Sequence, residues 1–354
     1  MARLESLQVA RGIAASLVFV MHLMNMAAMY SGWDYYISTL AGWSQYVGHF
    51  GVDIFFVLSG FVIAVSASRA KASPGRNAVN FLIKRAARIY PLFWMTLLMS
   101  LLLPAIPGSD NSLDALAAKP ESIFLLSPPA AHPLAWTLVY EVQFYILASI
   151  FMLFGARTRA LFLTWAVSQV VVVIAAKLGY LPRLPITDGL TLEFCFGVFI
   201  GLLMPNNIVK YPVTLILVSF VLVICSSSYF GTTAVATNTL IRALLWGIPA
   251  GLIIMSLVTI EARGARFKKP LLDLGDESYS LYMWHLIILI ASNQALHPIL
   301  PERGPTFAIA YVILATVLTL AISRMSYRLV ERPVLRKVAG LELRPRQFAV
   351  PVEL

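Results

Sequence analysis

Long apolar stretches alternate with shorter polar ones along most of the chain. An α-helix that crosses a bilayer needs about 20 mostly apolar residues. We predict a membrane-spanning helix at each of ten such stretches, 8–29, 50–68, 87–105, 136–155, 160–177, 188–204, 212–229, 240–260, 279–297 and 306–327. The pattern therefore predicts an all-α polytopic membrane protein with about ten transmembrane helices.

The polar connections contain no internal repeat and no sign of a second domain. The longest connection, about 106–135, is rich in proline, which favours an irregular cap or a substrate gate. We assign residues 1–335 to one membrane domain and 336–354 to a short cytoplasmic tail. Arg11, with a long apolar run after it, favours a retained first span over a cleaved signal peptide.

Composition excludes the other broad classes of protein. The chain is 59% hydrophobic and 12% charged, whereas soluble domains run near 45–50% and about 25%. Disorder requires low hydrophobicity, and a disulfide scaffold requires many cysteines. The two cysteines, Cys195 and Cys225, both lie inside apolar stretches and do not indicate a redox compartment.

The distribution of basic residues predicts the orientation of the spans. With the N-terminus in the cytoplasm, 22 of the 27 Lys and Arg residues fall on the cytoplasmic side. The other side has only Lys119, Lys177, Arg183, Arg242 and Arg303. By the positive-inside rule both termini are cytoplasmic. The net charge of +10 then reflects topology, and we expect no nucleic-acid partner.

Six ionisable residues fall inside predicted spans: Arg11, His22, Asp53, Glu141, Glu193 and His285. Such residues are costly within a bilayer and usually mark a cavity or a pathway. No cluster with metal-ligand spacing, glycine loop for phosphate or Ser-His-Asp order is present in the sequence, so we expect no metal and no cofactor held by the protein. Gly48, Gly51 and Gly60 are predicted to be helix-packing or turn glycines.

Arg11 and His22 are predicted to share one side of the first span. Eleven residues at 100° each make about three turns plus 20°, and they rise about 16.5 Å. Arg11 then lies at the cytoplasmic rim, where an arginine suits a phosphate group, and His22 lies deeper, where a histidine suits proton transfer. A snorkelling arginine and a histidine in a helix interface are the alternative.

Glu141 and Asp53 are the predicted partners of His22. Glu141 is about five residues, or roughly 8 Å, below the outer surface by helix rise, at a depth similar to that of His22. A carboxylate beside an imidazole orients the ring and raises its basicity. Asp53 also lies near the outer end of its span and competes for this role. A purely structural carboxyl is the alternative for each.

Arg85 and Arg88 lie three residues apart where the third span begins, so they share a helix side and could grip a phosphate together. Plain topogenic charge is the alternative. His285 lies about two turns into the ninth span, nearer the cytoplasm than His22. A histidine satisfied in a helix interface is the alternative there. The Glu193 side chain gives a weaker indication.

Several blocks of the sequence together resemble the acyltransferase-3 family of integral membrane acyltransferases. They are LQVARGIAA at 7–15 followed by His22, GVDIFFVLSGF at 51–61, RAARIYP at 85–91, WTLVYEVQFY at 136–145, YSLYMWH at 279–285 and ERP at 331–333. The blocks occur in order over nearly the whole chain. The family's usual Asp-Gly-Leu before the first arginine reads Gln8-Val9-Ala10 here, which removes an acidic partner for Arg11.

The resemblance implies an enzyme of a bacterial cytoplasmic (inner) membrane. It would move an acyl group, usually acetyl, from cytoplasmic acyl-CoA, a co-substrate, to a hydroxyl of a glycan or lipid-linked sugar. The residues implied for binding the donor are Arg11, Arg85, Arg88 and His285. His22, held by Glu141 or Asp53, would act as the general base. Ser59, Trp136 and Tyr145 lie within the matching blocks, and we expect them to contact the acceptor or to serve packing.

Other interpretations of the sequence stay open. A proton-coupled transporter or flippase also places His, Glu and Arg inside spans, although paired broken helices and a repeat would be more typical of it. A scaffold or receptor with structural charges is a third alternative. The extracytoplasmic hydrolase-like domain of some relatives is not expected here. The acceptor, the acyl length, a covalent intermediate and a homo-oligomer are not decided by the sequence.

Overall fold

The computed structural model describes residues 4–32, 36–69, 73–102, 110, 112–203 and 209–340. The regular structure in these ranges is helical, as predicted, and its α-helices are α1 (Glu5–Ser31), α2 (Tyr36–Gly48), α3 (Phe50–Ser68), α4 (Pro74–Leu102), α5 (Leu113–Ala118), α6 (Trp136–Met152), α7 (Thr158–Lys177), α8 (Thr191–Leu203), α9 (Pro212–Phe230), α10 (Thr232–Thr237), α11 (Thr239–Arg242), α12 (Ile248–Ala262), α13 (Lys269–Asp276), α14 (Ser278–Leu296), α15 (Pro305–Ser326) and α16 (Arg332–Gly340). Short 3₁₀ helices occupy Pro120–Phe124, Pro133–Ala135, Gly155–Arg157 and Pro185–Thr187, and π-helical turns occupy Ala243–Gly247 and Tyr327–Glu331.

Each of the ten predicted spans overlaps a helix of the structure. Within the described residues, seven helical stretches are long and apolar enough to cross a membrane: Glu5–Ser31, Thr39–Ser68, Pro133–Met152, Gly155–Lys177, Pro212–Phe230, Thr239–Ala262 and Pro305–Gly340. Helices α4, α8 and α14 fall outside this set, α8 because it has only 13 residues. The protein is therefore a multi-pass membrane protein, and length and composition support seven of the ten predicted spans.

Glycines let the central helices approach closely. A Cβ atom on Gly60 of α3 would lie 2.1 Å from the carbonyl oxygen of Phe194, and one on Gly197 of α8 would lie 1.9 Å from that of Val57. A Cβ on Gly51 would lie 2.3 Å from the carbonyl oxygen of Ala14 in α1. The α3 backbone therefore packs directly against α1 and α8, as small residues allow in membrane proteins. The prediction of packing glycines is confirmed at these positions of α3.

The N-terminus of α1 is capped by a residue far along the chain. The backbone N–H groups of Glu5 and Ser6 both donate to the Glu261 carboxylate at 2.9 Å, and the Ser6 hydroxyl donates to it at 2.5 Å. These are donors that a helix leaves unsatisfied within itself. The end of α12 is thereby fixed to the start of α1.

The predicted cap between α4 and α6 folds back along α4. The Tyr90 hydroxyl and the Trp94 indole N–H donate to the carbonyls of Phe124 and Ile123, both at 2.9 Å. Tyr90 and Trp94 lie 12 and 8 residues before Leu102, the last residue of α4, which corresponds to about 18 and 12 Å of helix. Helix α6 therefore begins well below the end of α4. Residues 103–109 and 111 of the predicted loop lie outside the described residues.

The predicted tail, 336–354, begins inside helix α16. Residues 341–354 lie outside the described part of the chain.

Candidate active site

A small cavity of about 60 Å³ lies among helices α1, α3, α4, α6 and α14. Its polar lining combines two cations, a carboxylate and hydroxyl groups, namely Arg11, Ser59, Arg88, Thr137, Glu141, Ser278, Tyr279 and Tyr282. The rest of the lining is apolar. Four residues that the sequence analysis proposed for the site are among these, and each comes from a different helix.

Within the described residues, the two arginines of the cavity have no ion-pair partner. In the described ranges, no carboxylate oxygen lies within 4.0 Å of a guanidinium nitrogen of Arg11 or Arg88. The Glu141 carboxylate accepts hydrogen bonds from Ser59 Oγ at 3.3 Å and from the Tyr145 hydroxyl instead. A guanidinium with open N–H groups beside a second cation is suited to bind phosphate.

A second carboxylate lies behind the cavity, and sequence reasoning gave it no role. Glu331, in the π-helical turn that follows α15, is 3% exposed and accepts a hydrogen bond from the Ser280 hydroxyl. It lies within electrostatic range of Arg88 and Arg11. Its place in the closing ERP block was the only indication in the sequence.

Arg85 lies beside the cavity and not in its lining. Its guanidinium carbon is 5.1 Å from the ring centroid of Phe81 and 5.3 Å from that of Tyr145. These are cation–π distances. Arg85 and Arg88 are thus placed differently, although their spacing puts them on one side of α4. Arg88 opens into the cavity, whereas Arg85 covers Tyr145.

Three turns beyond Arg11, α1 places His22 against His285 of α14. Nε2 of His285 lies 3.4 Å from Nδ1 of His22, and the ring centroids are 5.1 Å apart. The ring of Tyr282, which lines the cavity, is 5.9 Å from the ring of His285. Helix α14 therefore connects the cavity to the histidine pair.

Backbone contacts assign the protons of this pair. Nδ1 of His22 is 2.9 Å from the Val18 carbonyl oxygen, and Nδ1 of His285 is 3.2 Å from that of Leu281. A carbonyl only accepts, so in the neutral rings each Nδ1 carries the hydrogen. Nε2 of His285 can then accept from His22, and Nε2 of His22 keeps its lone pair. The His22 side chain is partly exposed, and in the described part of the chain its Nε2 has no hydrogen-bond partner.

The predicted carboxylate partner of His22 is corrected by this geometry. Glu141 lies in the cavity with Arg11 because α6 begins below the end of α4, whereas the depth estimate placed its start at the outer surface. Asp53 forms a salt bridge with Arg242. That His285 binds the donor stays a prediction; its side chain is fully buried against His22 and is not in the cavity lining.

Arg242 is the buried cation that sequence reasoning missed. Its Nε and Nη2 donate to the two oxygens of Asp53, each at 2.9 Å, and Nη2 also donates to the His49 carbonyl at 3.3 Å. Its guanidinium carbon is 5.3 Å from the ring centroid of Trp246. The sequence indication was a cation two residues inside the predicted span 240–260, near the same end of the molecule as Asp53.

The remaining predicted residues serve packing or lie beside the ion pair. The Trp136 ring packs edge to face on Phe56 and Tyr140, at 6.3 and 5.9 Å between centroids. Glu193 is fully buried beside the Asp53 side chain and within electrostatic range of Arg242. No group of His, Cys, Asp and Glu in the part of the chain that the structure describes could hold a metal ion.

Comparison with known proteins points in one direction. The family model of the acyltransferase domain matches residues 4–324. Exopolysaccharide production protein ExoZ of Rhizobium meliloti (strain 1021) is 30% identical over 312 residues, which are 82% of this chain and 90% of that protein. No solved structure gives a significant match.

Two further relatives are named for acyl transfer. Acyltransferase MdmB of Streptomyces mycarofaciens is 25% identical over 324 residues, with 81% of this chain and 79% of that protein covered. O-acetyltransferase OatA of Staphylococcus aureus (strain MRSA252) is 26% identical over 347 residues, which cover 85% of this chain and 56% of that protein.

Proposed function

Because the chain belongs to the acyltransferase-3 family, whose model matches residues 4–324, we propose that it moves an acetyl group from cytoplasmic acetyl-CoA to a hydroxyl of a glycan or lipid-linked sugar. The names of OatA, an O-acetyltransferase, and ExoZ, an exopolysaccharide production protein, support the acetyl group and the glycan. Family membership favours this enzyme over a proton-coupled transporter or flippase with the same buried charges.

The proposal includes ten spans with both termini in the cytoplasm of a bacterial cell. The bias of 22 basic residues to 5 supports this orientation. Helices α4 and α14 contribute to the span count because they pack in the bundle beside α6 and α1, although their composition is less apolar. In this orientation the Arg11 end of the cavity faces the cytoplasm, where acetyl-CoA is found.

The donor site consists of the two unpaired arginines. Arg11 and Arg88 would hold the phosphates of acetyl-CoA, because charge-assisted hydrogen bonds from guanidinium to phosphate are strong and specific. Arg85 would add positive potential through its place over Tyr145. From Arg11 the flexible arm of the donor would have to reach His22, about 16.5 Å farther along α1.

His22 would act as the general base. Its Nε2 would take the proton of the acceptor hydroxyl while the oxygen attacks the thioester carbon. The carbon–oxygen bond then forms, the carbon–sulfur bond breaks, and the leaving thiolate takes the proton back from the imidazolium to give free CoA. The observation that carries this role is a partly exposed ring whose Nδ1–H is held by the Val18 carbonyl and His285 and whose Nε2 has no hydrogen-bond partner in the described part of the chain.

His285 would be a positioning residue. It holds the His22 ring in one tautomer and orientation, in the way that a third group orients the base of a catalytic triad. Its own Nδ1 is held by the Leu281 carbonyl at 3.2 Å. Because each Nδ1–H donates along this series of hydrogen bonds, Nε2 of His22 would be the one basic nitrogen that faces the substrate.

The experiment that tests the function is acetyl-CoA consumption by purified protein in lipid nanodiscs, followed by free thiol and by transfer of labelled acetyl to added glycan. We expect His22→Gln to lower kcat by about 100-fold or more, the usual range for a general base. His297→Gln is the matched control, since His297 is an exposed histidine just beyond α14 and should leave kcat unchanged. Full activity of His22→Gln would refute the mechanism.

His285→Gln separates positioning from binding. We expect it to lower kcat, leave the KM for acetyl-CoA unchanged and move the acidic limb of the pH–rate profile, because that limb reports ionisation of His22. A rise of the KM with an unchanged profile would assign His285 to donor binding instead. A wild-type protein that transports a sugar without releasing thiol would support the transporter alternative.

A further inference from the structure

A second and larger cleft, of about 510 Å³, shares no lining residue with the cavity. It is formed by the end of α7, the chain that leads into α8, and the segment around α11. Its polar lining comprises Tyr140, Lys177, Arg183, Thr187, Asp188, Thr237, Asn238 and Thr239. The sequence pattern predicted no functional role for the residues of this cleft.

The length of the helical stretch Thr239–Ala262 gives the distance between the cleft and the cytoplasmic end of the helix bundle. Thr239 lines the cleft, and Glu261 at the other end caps the start of α1. The two residues are 22 positions apart, which corresponds to about 33 Å of helix, the thickness of a bilayer core. In the proposed orientation the cleft therefore opens on the outer side of the membrane.

Positive charge is concentrated in this cleft. Only five basic residues are predicted on the outer side, and two of them, Lys177 and Arg183, line the cleft. Both are exposed, and neither has a carboxylate within 4.0 Å in the described ranges. Arg242, a third, is buried and paired with Asp53. Two unpaired cations in one cleft indicate an anionic ligand.

The rest of the lining is prepared for hydroxyl groups. Asp188 is held in place by the Leu190 N–H at 3.0 Å and the Thr239 hydroxyl at 2.8 Å. The Asn238 side chain uses its oxygen to cap α11, with 3.4 Å to the Ile241 nitrogen, which leaves its NH₂ group for a ligand. A carboxylate, an amide and hydroxyls around a partly exposed Tyr140 ring suit a sugar.

Below the cleft, α7 offers a surface for a lipid chain. Its exposed side chains in the two turns before Lys177 are apolar: Val170, Val171 and Ile174. A lipid chain lying along this surface would place its phosphate groups at Lys177 and Arg183. A sugar beyond the phosphates would then reach Asp188 and Asn238.

We propose that this cleft is the acceptor site and that it takes a lipid-linked sugar by its phosphate or diphosphate group, through Lys177 and Arg183. The inference rests on the proposed acetyltransferase function and adds the place and charge of the acceptor. Tyr140 lies between the cleft and the donor cavity, since its ring centroid is 5.6 Å from that of Phe56, which lines the cavity. The two compartments are thus separated there by a thin aromatic wall.

The test compares two probes that differ in the diphosphate group between the sugar and the lipid chain. Glucose linked through diphosphate to a farnesyl chain is the anionic probe, and farnesyl β-glucoside is the neutral one. Binding to the purified protein in phosphatidylcholine nanodiscs is measured together with acetyl transfer. We expect the Lys177→Gln/Arg183→Gln protein to bind the anionic probe about tenfold more weakly than wild type, as loss of charge-assisted contacts implies, with the KM for acetyl-CoA unchanged.

The control is Lys119→Gln/Arg303→Gln, which removes the same charge from the outer side away from the cleft and should not change binding. Equal binding of the anionic probe by the cleft variant and wild type would overturn the proposal, as would no preference of wild type for that probe. Phosphatidylglycerol that displaces the probe as well as unlabelled probe does would assign the cleft to lipid headgroups instead. Binding of acetyl-CoA to the same samples reports on the donor side of the proposed function independently, because the donor cavity shares no lining residue with the cleft.

Discussion

Arg11 and Arg242 are both arginines set within apolar helices, yet their surroundings are opposite. Arg242 is 3% exposed, meets both oxygens of Asp53 at 2.9 Å and lies over Trp246. Arg11 is partly exposed and lines a cavity. Its charged neighbours are two cations, Arg88 and Arg85, and the Glu141 carboxylate. Arg242 therefore has a counter-ion within the protein, whereas Arg11 has no ion-pair partner in the described residues.

The difference shows how to distinguish a structural from a functional charge in a membrane protein. A buried ion that meets its counter-ion through two hydrogen bonds holds two elements together, and here the pair joins α3 to α11. A cation with open donors and like-charged neighbours is instead stabilised by a ligand that brings negative charge. Depth within the bundle does not decide this. The number and position of the counter-charges do.

Breaking the ion pair between Asp53 and Arg242 should have the largest effect, and the effect should be on stability. Arg242→Met leaves Asp53 buried without a partner, and we expect the free energy of unfolding to fall by about 3–5 kcal/mol. Thermal unfolding in detergent would measure it. The double variant Asp53→Leu/Arg242→Met removes both charges and should recover most of the loss. A single variant as stable as the wild type would show that the pair does not stabilise the fold.

Substitution of Arg11 should change the kinetics of the enzyme and not the stability of the fold. For Arg11→Gln we expect the KM for acetyl-CoA to rise about 10- to 100-fold, as loss of a charge-assisted hydrogen bond implies, with an unfolding temperature equal to or above that of the wild type. Relief of repulsion from Arg88 is the reason for the second expectation. Arg76→Gln, on the exposed first turns of α4, is the control. A marked loss of stability in Arg11→Gln would place it with Arg242.

A smaller change should give Arg11 a counter-ion, as Arg242 already has. In Tyr145→Phe the Glu141 carboxylate loses a hydrogen bond and becomes free to turn to Arg11. We expect the KM for acetyl-CoA to rise about fivefold, the equivalent of one hydrogen bond of about 1 kcal/mol. Steady-state kinetics beside Tyr211→Phe, an exposed tyrosine outside the cavity, would measure it. No change in KM would mean that Glu141 stays where it is.

Ser59→Ala should have the smallest effect. Its hydroxyl donates to Glu141 across 3.3 Å, which is long for an O–H···O bond, and Tyr145 remains as the main donor. We expect less than about a twofold change in kcat or KM. A large change measured in the same assay would indicate that Ser59 contacts the substrate directly.

The sequence predicted the helices well because membrane spans are defined by length and polarity. The span 50–68 coincides with α3, and the packing role of Gly51 and Gly60 follows from the lack of a Cβ atom. What the sequence could not predict is partners that are distant in the chain. Asp53 and Arg242 are 189 residues apart, and His22 and His285 are 263 apart.

Depth was the other quantity that the sequence concealed. The estimate for Glu141 counted residues from the start of its helix and assumed that the helix starts at the outer surface. The chain before α6 folds back instead, as the bonds of Tyr90 and Trp94 to the carbonyls of Phe124 and Ile123 record. Donors on α4 satisfy those carbonyls, which is how irregular backbone is tolerated at depth.

The cap that Glu261 supplies to α1 has a consequence for the order in which the protein is assembled. Ser6 and Glu261 are 255 residues apart, so the first helix enters the membrane long before its cap exists. At about 5–20 residues per second, that interval is roughly 10–50 s of synthesis. Gly275, which packs against the Gln8 backbone, arrives later still. The helix with Arg11 and His22 is thus made well before the residues that cap its start and pack against it.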